Sequence, residues 1–164
     1  MIPWVVMKRF LWLTMMIALG TGLFWPLSSS ALSITSNAII KSINNTRRQA
    51  GLPTLRRDVR LETAARIRSN IIIRQATINH GGRTTKATVV IRQVGYHARR
   101  SGELLAADFR TAQDTVAAWE YSPNHRYILY DRRFKDIGVA ITRNHRGQSF
   151  GIVVVVILGQ RSGL

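Results

Sequence analysis

The chain has 164 residues, with 24 Lys and Arg against 8 Asp and Glu, a formal net charge of +16, and no cysteine. The missing thiols exclude disulfides, cysteine-ligated metals and lipid attachment at a cysteine. The charge draws anionic partners, whether lipid head groups, wall polymers or nucleic acid, and the length fits one domain plus a processed segment.

Residues 1–31 read as a leader. Lys8 and Arg9 precede an apolar run from Phe10 to Leu27, and Ser29 and Ala31 give the small-x-small pattern of a cleavage site. The alternative is an uncleaved N-terminal anchor, since the run is near the lower length limit for a spanning helix. Either way the domain, residues 32–164, is expected outside the cytoplasm, because the positive residues stay inside. An exported domain without disulfides points to a bacterial envelope or secreted protein, held together by its core.

Beyond the leader, Thr35 or Ser36 is placed to cap a helix to Ala50 carrying Ile39, Ile40 and Ile43 on one face. Gly51-Leu52-Pro53 stops it. Asp58 caps a second helix whose Leu61, Ala64, Ala65, Arg68 and Ile72 form a packing stripe, with Glu62 suited to the first turn. Asn79-His80-Gly81-Gly82 breaks the chain. Thr84–Val94 reads as a third helix weakened by Val89, Val90 and Ile91. Gly95–Gly102 reads as a basic loop, Glu103–Ala106 as a short strand, and Asp108–Tyr121 as a helix with Ala112, Val116 and Trp119 on one face.

Ser122-Pro123 starts another helical turn, with Ser as N-cap and Pro at the first helical position. Ile137, Val139 and Ile141 alternate with Gly138, Ala140 and Thr142 as a half-buried strand. Asn144–Gly147 is a turn, and Ser149–Leu158 is apolar enough for a central strand covered on both faces. Helices lead and an antiparallel hairpin closes, which predicts an α+β domain with helices on both sides of a small sheet.

Several short motifs occur in a telling order. They are Asn44-x-x-Arg47 with Gly51-Leu52-Pro53-x-Leu55; Asp58-x-x-Leu61-x-x-Ala64-Ala65; Asn79-His80; and Arg92-x-x-Gly95-Tyr96. Gly102-Glu103-Leu104-Leu105-Ala106, Trp119-x-x-Ser122-Pro123-x-His125-Arg126 and Ile137-Gly138-Val139-Ala140 follow. Together, over roughly Ile39 to Gly159, they resemble the cysteine-rich secretory protein superfamily, the CAP or SCP fold, in a disulfide-free form. The resemblance implies an α-β-α sandwich, a small central antiparallel sheet flanked by helices, in agreement with the reading above.

It also implies a cleft. Fuller members carry two His and two Glu there, and some bind a divalent metal. His80 and His125 stand at the two His positions and Glu103 at the first Glu. Ser122 replaces the second Glu, and Glu120, two residues earlier on a helix, points about 200° away. Two neutral imidazoles and a carboxylate suit a zinc-like cation, so His80, His125 and Glu103 are the candidate metal ligands. Without metal, His and Glu form an acid–base pair. Leu104 in place of Asn and the missing second Glu favour a binding or structural role over hydrolysis, and no catalytic residue is assigned.

His97 and His145 read as solvated. The arginines come in scattered pairs (Arg47-Arg48, Arg56-Arg57, Arg99-Arg100, Arg132-Arg133) with no aromatic residues interleaved as stacking platforms. The expected partner is therefore an anionic surface, lipid head groups or wall polymer, with membrane association as a further option. A metal-dependent hydrolase comes second. A nucleic-acid-binding or antimicrobial role comes last.

Overall fold

The structure, a computed structural model, describes residues 34–144 and 149–163. The leader of residues 1–31 and His145 lie outside the described residues. Nine elements follow one another: α1 (Ser36–Gln49), β1 (Arg56–Arg57), α2 (Val59–Gln75), α3 (Ala87–Gln93), β2 (Ala98–Ala107), α4 (Ala112–Tyr121), α5 (Pro123–Leu129), β3 (Asp136–Arg143) and β4 (Ile152–Arg161). The sheet has the order β1-β3-β4-β2. β4 pairs antiparallel with both β2 and β3, while the two-residue β1 adds a parallel edge to β3. The sheet is thus mixed, antiparallel except for that short edge.

Alternation along β4 builds two cores. Val154, Val156 and Leu158 face α1, α4 and α5, packing with Ile39, Ile43, Val116, Trp119 and Leu129. Val153, Val155 and Ile157 face the opposite way, against Leu61, Ala64, Ala65 and Ile72 of α2 and Val90 and Ile91 of α3. Successive strand residues point to opposite faces, so an unbroken Val/Ile run demands cover on both. The result is the α-β-α sandwich.

Local chemistry sets the ends. The Thr35 side chain accepts from Ala38 N–H and caps α1, and Asp58 accepts from Arg60 and Leu61 N–H and caps α2. Gly51, at φ +67°, turns the chain after α1 through the left-handed region that favours glycine. The Asn44 side chain grips the Leu55 backbone in both directions, through its Nδ2 and its Oδ1. Arg47, fully buried, donates to the carbonyls of Pro53, Leu129 and Asp131. The Asn-x-x-Arg motif therefore ties α1 to the loop after it and to the end of α5.

Three expectations are corrected. The helix read from Asp108 begins at Ala112, because Asp108 sits at φ +62° and Thr111 takes the cap. The Asp108 carboxylate instead accepts from Gly151 and Ile152 N–H, at 2.8 and 3.0 Å, at the start of β4. The basic loop Gly95–Gly102 is largely strand, since β2 starts at Ala98. Arg99 and its polar neighbours on this half-exposed edge hid the pattern. The third helix shortens to Ala87–Gln93, with no side-chain cap at Lys86. Ser122 is the N-cap residue of α5 by position, with Pro123 after it, but its hydroxyl makes no cap bond.

Candidate functional site

Arg68 is the residue around which the cleft is built. It lies mid-way along α2 on the inward face, at 0 % exposure. Sequence periodicity marked it as part of an apolar stripe, yet it is a buried cation with specific partners. Its Nε donates to Glu103 Oε1 at 2.7 Å and its Nη2 to the carbonyl of Asn79 at 2.8 Å. One guanidinium thus fixes both β2 and the loop after α2. Its Nη1 is buried with no acceptor among the described residues.

Glu103, its side chain only 5 % exposed, is held at its other oxygen by His80, whose Nδ1 lies 2.8 Å from Oε2. A carboxylate only accepts, so the proton of this hydrogen bond belongs to Nδ1. His80 itself is 60 % exposed and sits on a loop shaped by Asn79, whose Oδ1 accepts from Gly81 N–H at 2.8 Å. His125 comes from the first turn of α5. Its ring centroid is 6.4 Å from that of His80, with the planes inclined at 51°. Burial, and then the nearby His80, push the His125 pKa below the ordinary histidine value. Ser122 is half-buried one turn before His125. Glu120 faces away, accepting from the Tyr130 hydroxyl at 2.5 Å.

The arrangement is a buried Arg–Glu pair orienting one exposed imidazole toward a second, partly buried one. It can hold N–H donors and a lone pair in a fixed pattern. Both Glu103 oxygens are already engaged by Arg68 and His80. Among the described residues no group of three or more His, Asp or Glu side chains is spaced to hold a metal ion. The three candidate ligands therefore do not fit a three-ligand zinc centre as they stand.

The second functional feature is the distribution of charge. All eight carboxylates are used inside the fold. Asp58, Glu62, Glu103, Asp131 and Asp136 pair with arginines. Asp108 accepts from backbone N–H groups, Asp114 from the Thr111 hydroxyl, and Glu120 from Tyr130. Meanwhile Arg60, Arg66, Arg74, Arg92, Arg99 and Arg132 are exposed with no carboxylate partner among the described residues. His97 is exposed too, and lines a cavity with Arg92, Arg99 and Arg100.

Aromatic residues do interleave with arginines, contrary to the sequence reading. Tyr121, Tyr127 and Tyr130 share one cavity of about 800 Å³ with Arg126, Arg132 and Arg133. The signal was present in the sequence as three tyrosines within ten residues, but on a helix end, a second helix and a turn it did not read as one surface.

A family model of the cysteine-rich secretory protein family matches residues 40–158. An outer surface protein of Borrelia burgdorferi shares the fold at a TM-score of 0.69 and 23% identity, with 79% of this chain and 98% of that one covered. An extracellular protein of Bacillus anthracis containing an SCP domain follows at 0.66 and 18%, covering 77% of this chain and 40% of that one. A cysteine-rich secretory protein of Staphylococcus aureus gives 0.62 and 14%, covering 77% and 38%. These structural likenesses are of fold. No curated protein matches the sequence. On the family match, which spans most of the chain and contains His80, Glu103 and His125, the chain belongs to the cysteine-rich secretory protein family.

Proposed function

We propose that this protein is an extracytoplasmic binding module that attaches to an anionic surface. One observation carries the reading: every side-chain carboxylate has a partner within the fold, five of the eight an arginine, while a set of arginines is left exposed with no carboxylate partner among the described residues. The uncompensated field outside the molecule is therefore positive, and it raises the local concentration of negatively charged partners. The leader pattern of Lys8, Arg9 and the apolar run supports a site of action outside the cytoplasm. So does the likeness to the Borrelia and Bacillus structures, one an outer surface protein and the other an extracellular protein. No described helix is long and apolar enough to cross a membrane.

In this reading the His80–His125 cleft supplies oriented N–H donors beside the cationic surface, with Glu103 and Arg68 as its rigid backing. The hydrolase alternative with Glu103 as a direct metal ligand would require that carboxylate to release Arg68 or His80, which hold both its oxygens.

The test is co-sedimentation of the full chain with vesicles of phosphatidylglycerol, of phosphatidylcholine, and with isolated anionic wall polymer. Binding to the anionic materials is expected, with a steep loss as salt rises and screening shortens to about 8 Å at physiological ionic strength. Binding that ignores salt, or that favours phosphatidylcholine, would overturn the proposal.

A further inference from the structure

Among the described residues the large hydrophobic side chains left exposed are Val59, Tyr121 and Tyr127. Two of the three sit in the same concavity, that of about 800 Å³ at the junction of α4 and α5. Tyr121 is 89 % exposed and Tyr127 68 %. Neither packs in a core, so folding does not explain their placement. Pro123 stiffens the floor between them, and Tyr130 completes the set, with the Arg126 guanidinium 5.9 Å from its ring centroid.

The charges of this groove are unbalanced. It holds Arg126, Arg132 and Arg133 against the single carboxylate of Asp131. Asp131 is spent on Arg133, which it accepts from at 2.8 Å through each oxygen, and this contact pulls its pKa below the usual carboxylate value. Arg126 and Arg132 are left for a ligand. Asp131 also lies 3.9 Å from Arg100 of β2. Arg100 lines the neighbouring cavity of about 580 Å³ that contains Arg92, His97 and Arg99. Two cationic concavities thus meet at the Arg100–Asp131 contact, an arrangement suited to a chain rather than to a compact molecule.

We infer that this tyrosine-arginine groove binds an acidic polysaccharide, with sugar rings against Tyr121 and Tyr127 and the anionic substituents on Arg126 and Arg132. Exposed tyrosines offer large, rigid, amphipathic contact area at low entropic cost. Guanidinium forks match carboxylate, sulfate and phosphate groups. The inference rests on the extracytoplasmic reading above and deepens it. Outside the cytoplasm, acidic glycans are the polymers that repeat a ring face and a negative charge along one strand.

The experiment measures binding of polygalacturonate, neutral dextran, a short oligothymidylate and phosphatidylglycerol vesicles to the full chain. It compares the wild type with Y121A/Y127A and R126Q/R132Q. All the altered groove residues are exposed, so the variants are expected to keep the wild-type unfolding midpoint, and that is checked first. Polygalacturonate is expected to bind and dextran not to. Loss of the tyrosine pair is expected to weaken polygalacturonate binding by about tenfold or more while leaving vesicle binding unchanged. The arginine pair is expected to matter similarly.

Unchanged polygalacturonate affinity in Y121A/Y127A would overturn the groove while leaving the anionic-surface reading intact. Oligothymidylate bound more tightly than polygalacturonate, through the same residues, would overturn the glycan in favour of nucleic acid. Failure of the wild type to bind any of the anionic probes would instead remove the reading on which the inference stands.

Discussion

Arg68 and Glu103 stand thirty-five positions apart and meet where neither can find water. Removing one member of such a pair leaves a bare buried charge, a loss typically of about 3–5 kcal/mol, whereas replacing both with apolar groups is often neutral. R68M is therefore expected to lower the urea midpoint sharply, and R68M/E103L to recover most of the loss. A double variant no better than R68M would show that the pair is not the unit of stability. His125 makes a separate prediction through its depressed pKa. Below the ordinary value of about 6.5 the unfolded chain takes up a proton that the folded chain resists, so stability is present above that value and falls as pH drops through the window. H125Q is expected to flatten the decline between about pH 7 and pH 5, measured as melting temperature. His80, Glu103 and His125 could be named from the motifs they sit in. Arg68 could not be recognised, because periodicity reports which face a residue occupies and not what it meets there. A carboxylate on a strand thirty-five residues away leaves no mark on the helix pattern.

At the level of elements, α2 and β3 are pressed together at Gly138. A methyl group on Gly138 would fall inside the backbone of Leu61 and Glu62 at the start of α2. Neither can yield without moving the helix, so G138A is expected to cost at least the usual overpacking penalty of about 1–3 kcal/mol. G82A, where the nearest outside atom is 3.9 Å away, serves as the neutral comparison in the same denaturation series. At the same end of α2, D58A removes the cap on Arg60 and Leu61 and the ion pair with Arg161. A loss of about 0.5–2 kcal/mol is expected from the cap alone. The helices α1 and α2 were legible in the sequence because a capping side chain and an apolar stripe are both local signals, while in α4 only the stripe was read and the Thr111 cap was missed. The first half of β2 was not. Its hydrogen bonds to β4 are long-range, and Arg99 to Gly102 offer no alternation of apolar residues. The two-residue β1 is too short to leave any pattern at all.

The whole molecule keeps the family's sandwich with no cysteine, so its persistence rests on two apolar layers about one sheet. Strong reductant is accordingly expected to leave its melting temperature unchanged. A shift would reveal a cofactor or cross-link outside this account. The net charge of +16 works in the opposite sense, repelling itself at low ionic strength, so added salt is expected to raise the melting temperature while it weakens binding to anionic surfaces. Finally, β4 is the last strand in chain order yet lies between β3 and β2, and its alternate residues close both layers. A ribosome delivers every other strand before the one that joins them. Neither layer of the interior is closed until it arrives, so the emerging polypeptide has no complete core before β4. Chains stopped short of Ile152 are expected to stay protease-sensitive throughout, and a protected fragment from such a chain would contradict this order of assembly.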